Sequence, residues 1–239
     1  MLVQFARFFL LLVVVGIPSN TASTAAQIAP AVGTSLIQPC QFGAQLRGEE
    51  ALIVVPENRT AAYSRNITVH YFRFPARKPS GQPPVFFLPG GPGEAVTAKQ
   101  ITAGLQQKRY NKYAEMLAFS QNRDVVIVNQ RGNSHVPGIH QLPELCFAQP
   151  GQRLEALSFD KAGARLKAGL QNSILTCQKQ QFDLRGYDIL HLVEDVDAIR
   201  RSCGYKQIAL RGSSFGSQWA LAYLKQHPEQ VERMLLSGV

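Results

Sequence analysis

Gln207-Ile208-Ala209-Leu210-Arg211-Gly212-Ser213-Ser214-Phe215-Gly216 is the stretch on which the fold of this chain turns. Its first half is a short apolar strand. Its second half is a Gly-x-Ser-x-Gly string, and a helix follows to Gln226, stopped by Pro228. A strand that turns directly into a helix forces the residue at the turn into a strained backbone conformation, and glycines two before and two after it relieve the crowding. The central residue, Ser214, then stands with its hydroxyl above the sheet. Because its helix begins at the next residue, the Phe215 N–H is a ready donor to a developing oxyanion. The string alone is weak, since glycine and serine are common; an apolar strand entering and a helix leaving make it specific. The alternative is a purely structural turn, and Ser213 competes only by adjacency.

Working outward, Tyr187 to Gly204 carries the clearest helical pattern. Ile189, Leu192, Val193, Val196, Ile199 and Cys203 share one stripe, Glu194, Asp195, Asp197 and Arg201 lie off it, and Gly204 is the expected carboxyl cap. Val85-Phe86-Phe87-Leu88 and Val125-Val126-Ile127-Val128 read as strands buried on both faces, with mostly helix between them over 95–119. A further helix is expected from about 154 to 181, and Met234-Leu235-Leu236 is another strand. Upstream, Ala51–Val55 and Asn66–Phe74 read as two strands of an antiparallel edge. Strands alternating with helices specify an α/β fold with a mostly parallel sheet, whose working loops gather at the carboxyl ends of the strands.

Two more loops occupy that position. Pro89-Gly90-Gly91-Pro92-Gly93 follows one buried strand, and no Lys-Ser/Thr pair follows it to make a phosphate loop. Its glycines let backbone approach a substrate, so an N–H of Gly90 or Gly91 is a candidate second oxyanion donor. Asn129-Gln130-Arg131-Gly132-Asn133-Ser134 follows the other; taken by itself, Arg131 reads as a surface arginine.

The amino-terminal segment stands apart. Arg7 is the only charge before residue 47, an apolar run over 8–15 follows it, and small residues follow that, the layout of a cleaved signal peptide over 1–26. Residues 27–50 read as an irregular lead-in and 51–239 as the enzyme domain. Export, secreted or periplasmic, is the expectation, with no membrane span after cleavage. It permits disulfides among Cys40, Cys146, Cys177 and Cys203; Cys146–Cys177 is the favoured pair, and Cys203, on the apolar face of the expected helix, has a buried free thiol as its alternative reading. No Cys or His spacing suggests a metal, and no cofactor is implied. Of 239 residues, 45% are hydrophobic and 17% charged, which argues for a globular rather than a disordered chain. The net charge of +9 is scattered singly and in pairs, without the basic–aromatic clusters of a nucleic-acid binder.

Three motifs in order, Leu88–Gly93, Asn129–Ser134 and Gly212–Gly216, resemble the signatures of the α/β-hydrolases that include proline iminopeptidases and tripeptidyl aminopeptidases. The match runs from about residue 50 onward, and Val55-Pro56-Glu57-Asn58-Arg59 resembles a segment of exported members. Pro89 stands where the family usually has His, which weakens a prolyl-specific reading more than the fold. The resemblance implies Ser214 as nucleophile, the Phe215 N–H with Gly90 or Gly91 as oxyanion hole, Arg131 as a loop brace, and a peptide or small ester as substrate.

A serine at its ordinary pKa needs a base and an orienting acid, which in this fold follow it in the order acid, then His. Only Glu229, Glu232 and His227 follow Ser214, and His227 reads as a helix-end residue. The chain therefore reads as a fragment of an exported, aminopeptidase-like serine hydrolase, truncated before the last strands. A carboxylesterase on the same fold and a non-catalytic binding module are the alternatives.

Overall fold

The computed structural model describes residues 30–43, 46–107, 111–138, 140–143 and 157–238. The signal-peptide segment and Cys146 lie outside the described residues.

Seven strands form one sheet in the order β1-β2-β3-β5-β4-β6-β7. They are β1 (Ser35–Phe42), β2 (Leu46–Pro56), β3 (Asn66–Phe74), β4 (Val85–Leu88), β5 (Val125–Val128), β6 (Ile208–Ser213) and β7 (Val231–Ser237). The four strands β5, β4, β6 and β7 are mutually parallel, whereas β1, β2 and β3 are antiparallel and join the rest through an antiparallel β3–β5 pairing.

The antiparallel edge is larger than expected. Within 27–50, expected as an irregular lead-in, the described residues include paired strands: Gln38–Phe42 lies opposite Leu46–Glu50, with Cys40 against Gly48 and Phe42 against Leu46. β1 is an outermost strand that leaves most of its side chains exposed, so it lacks the alternation that marks a half-buried strand. It also contains Pro39, a residue at home in an edge strand.

Alternation along the central strands builds two cores. Phe86, Leu88, Val126, Val128, Ile208 and Leu210 face α4 (Ile189–Ser202) and α5 (Phe215–Gln226), meeting Val193, Val196, Ile199, Trp219 and Tyr223. Val85, Phe87, Val125, Ile127 and Ala209 face the other way, toward α1 (Ala98–Gln106) and α2 (Lys112–Ala118), where Ile101 and Leu117 close the layer. The single helical stretch expected over 95–119 is thus two helices. Asn111 caps the second, its side chain accepting from the Tyr113 and Ala114 N–H groups.

α3 (Phe159–Lys179) buries only Ser173 and Cys177 and leaves Leu166, Leu170 and Ile174 exposed. Cys177 is a free thiol there; Cys40 and Cys203 are free and half-buried. α4 has Asp188 at its amino cap, accepting from the His191 N–H, and Gly204 at φ 74° past its end, as the pattern requires. The placement of Asp195 and Asp197 off the buried stripe is corrected: both are buried, Asp195 against Arg131 and Arg59 from elsewhere in the chain, and Asp197 against Arg200 and Arg201 one turn along its own helix. Among the described residues no helix is long and apolar enough to cross a membrane.

Candidate active site

The turn from β6 into α5 has the strain its sequence demands. Ser214 sits at φ 51° and ψ −123°, a region that side-chain-bearing residues avoid at a cost of about 1–3 kcal/mol. It is held there from both sides. Its N–H donates to the Ser237 carbonyl at 2.8 Å, and its carbonyl accepts from the Ser217 N–H at 2.8 Å. The flanking glycines are obligatory: a Cβ on Gly212 would lie 2.5 Å from the Gly216 oxygen, and one on Gly216 would lie 2.0 Å from the Leu88 oxygen. The second contact shows what the turn is pressed against, the end of β4 just before the glycine loop. Ser214 itself is exposed. Phe215, the first residue of α5, packs its ring on the core while its N–H belongs to the free amino end of the helix.

The glycine loop closes over this turn. A Cβ on Gly90 would meet the Ser213 carbonyl and the Ser214 Cβ, each at 3.2 Å. Gly91 has φ 102° and is exposed beside it. The loop is tied down by residues that the sequence reading did not single out. Gln130 donates through Nε2 to the Gly90 carbonyl (2.8 Å) and accepts at Oε1 from the Gly93 N–H (2.8 Å). Asn133 donates to the Gly93 carbonyl at 2.9 Å, and Glu94 accepts from the Gly90 N–H at 3.0 Å while pairing with Lys112. Asn129 holds both backbone groups of Val96 and donates to His70 Nδ1, whose Nε2 donates to Glu50. The second motif is therefore the cradle of the first. The signal was in the strand offset: β4 and β5 pair Val85 with Val125, a spacing that sets Gly90 beside Gln130 one turn of chain later.

Arg131 is not a surface arginine. It is buried, with Nε and Nη2 both 2.7 Å from the Asp195 carboxylate and Nη1 donating to the carbonyls of Glu57 and Gly186. Burial alone would lower its pKa, but the facing Asp195 charge raises it. Asp195 also accepts from Arg59 at 2.6 Å, and Glu57 accepts from Arg65 and from the Tyr187 hydroxyl. Burial, reinforced by Glu57, pushes the Tyr187 phenol far up, so it serves as a donor. Arg131 thus ties the loop after β5 to the end of β2 and to α4. Asn58 belongs to the same knot: it is buried and donates to Asp183 at 2.7 Å.

The three candidates after Ser214 are turned elsewhere. His227 lies at the far end of α5, roughly 20 Å from the serine at 1.5 Å per residue. Its Nε2 is 2.8 Å from Glu194. Glu232, at the opposite end of β7 from the elbow, pairs with Arg123 at 2.9 Å, and Glu229 lies in the short 3-10 turn just before it. Among the described residues no histidine hydrogen-bonds to Ser214. Glu194, Asp197 and His227 do bring three possible metal-ligand atoms within 4.8 Å of one another. Asp197 is already bonded to Arg200, Arg201 and Tyr223, which gives that cluster an explanation without an ion.

A mixed sheet sandwiched by helices, with a serine on a strained strand–helix turn above the carboxyl ends of its parallel strands, defines the class. A family model described as the alpha/beta hydrolase fold matches residues 83–239, more than half of the chain, and the chain belongs to that family. Solved structures similar to it include esterase E22, with 14% identity over 79% of this chain and 47% of that one and a TM-score of 0.47. A probable hydrolytic enzyme from Pseudomonas aeruginosa PAO1 shares 14% identity over 78% and 40% of the two chains, TM-score 0.44. The juvenile hormone epoxide hydrolase of the silkworm Bombyx mori shares 12% over 82% and 36%, TM-score 0.42. The chain spans less than half the length of each of these proteins.

Proposed function

We propose that this chain is the nucleophile-bearing part of an exported serine hydrolase of the aminopeptidase type. In this reading Ser214 attacks the carbonyl of a peptide bond near a free amino terminus. The Phe215 N–H and an N–H of the Gly90–Gly91 loop receive the negative charge that develops on the carbonyl oxygen. The base that takes the serine proton, and the acid that orients it, come from outside the described residues.

The observation that carries the proposal is the position of Ser214. It is exposed, at positive φ, at the start of a helix, and within a methyl group's reach of Gly90. A turn serving only to reverse the chain has no need of a side chain at that strained position, where glycine would be relaxed. The aminopeptidase assignment rests on the three ordered motifs, and export rests on the apolar run over 8–15 behind Arg7.

The test is covalent labelling of the full-length protein by a fluorophosphonate. Labelling that disappears in Ser214→Ala is the expected result; labelling that survives it, or a folded protein that never labels, overturns the nucleophile. A dipeptide-like amide with a free amine should then be cleaved faster than its acetylated form. Preference for the acetylated amide would remove the aminopeptidase assignment, and preference for a simple alkyl ester would move it to an esterase.

A further inference from the structure

We infer that Gln130 is a positioning residue that selects the Gly91 N–H, rather than that of Gly90, as the second oxyanion donor. The inference rests on the proposed serine-hydrolase reading. The side-chain amide of Gln130 is buried and has no freedom in how its two ends are assigned. A backbone N–H can only donate, so Oε1 must face Gly93; a carbonyl can only accept, so Nε2 must face Gly90. The Gly90 carbonyl and the Gly91 N–H are the two ends of one planar peptide and point in opposite directions. Pinning the carbonyl to Gln130 therefore fixes the direction of the Gly91 N–H on the other side of the loop. The N–H of Gly90 is meanwhile engaged by Glu94 at 3.0 Å. Of the two glycines, that leaves Gly91, exposed on the same rim of the sheet as Ser214, as the donor held in advance of the reaction. Without Gln130 the peptide is free to rotate about its flanking bonds, and the orientation of the donor must be found during the reaction.

Gln130→Glu separates this role from a merely structural one. A carboxylate still accepts from the Gly93 N–H but repels the Gly90 carbonyl; once protonated it can donate to that carbonyl again. The full-length protein is labelled with a fluorophosphonate, whose phosphoryl oxygen takes the oxyanion position, and the rate is divided by that of the wild type at each pH. The expected ratio is about 0.1–0.01 at pH 8, a loss up to that of a whole donor, rising severalfold as pH falls through the carboxyl range. Gln130→Met, similar in length and without an ionisable group, should show the loss without the recovery. It also serves if the Glu variant fails to fold. A Glu variant whose ratio stays near one, or stays low and flat with pH, overturns the inference, as does recovery in both variants. In each of those cases the wild type still labels, so the serine reading survives; a wild type that does not label removes that reading and this inference together.

Discussion

Gly90 and Ser214 come from loops more than a hundred residues apart and meet so closely that a methyl group on the first would stand 3.2 Å from the Cβ of the second. The same methyl would lie 3.2 Å from the Ser213 carbonyl, which is backbone and has little room to retreat. Gly90→Ala should therefore disturb reactivity more than stability. A fall in fluorophosphonate labelling rate of about tenfold or more is expected, with a stability loss of about 1–3 kcal/mol from overpacking. Stopped-time labelling and urea unfolding of the same preparation measure the two. An alanine variant that labels at the wild-type rate would contradict this geometry.

The Asp195 carboxylate sits between two guanidinium groups, Arg131 at 2.7 Å and Arg59 at 2.6 Å, and is almost wholly buried. Removing it leaves Arg131 charged and sealed in the interior. Asp195→Ala is expected to destabilise the fold by about 3–5 kcal/mol. Chemical denaturation followed by tryptophan fluorescence, which reports on the buried Trp219, would measure it. A loss below about 1 kcal/mol would mean that the arginine finds water.

Burial on its own would raise the pKa of Asp197, but hydrogen bonds from Arg200, with the nearby charges of Arg200, His227 and Arg201, hold it below the ordinary aspartate value. A carboxyl with a depressed folded pKa contributes stability above its unfolded value and loses it as pH falls through the folded one. Asp197→Asn should thus cost about 1–3 kcal/mol at pH 7. The gap between variant and wild type should close below about pH 4. Urea midpoints taken from pH 7 to pH 2 test this; a gap independent of pH would refute the ion-pair origin.

His227→Ala should leave fluorophosphonate labelling within about twofold of the wild type, because the imidazole lies at the wrong end of α5 and is engaged by Glu194. Abolished labelling in a variant that melts normally would make His227 the base and overturn the geometry described for it.

The central strands and the elbow were legible because their signals are local. Val85–Leu88, Val125–Val128 and Ile208–Leu210 are apolar on both faces, and the helix after Ser214 announces itself within one turn. β1 was not legible: Leu36 and Ile37 are exposed on the outermost strand, so nothing in their order distinguishes them from a loop. The burial of Asp195 and Asp197 was hidden for a different reason. Periodicity places a charge on the outside of a helix, and only partners 64 and 136 residues away, Arg131 and Arg59, bring Asp195 in. Gln130 lay inside a quoted motif, yet its task is visible only once β4 and β5 are set side by side.

The carbonyl of Ser237 receives both the Ser214 N–H, at 2.8 Å, and the Ser217 hydroxyl, at 3.1 Å. The end of β7 and the elbow are consequently one mechanical unit. A displacement of the β7 terminus therefore carries the serine's own amide with it.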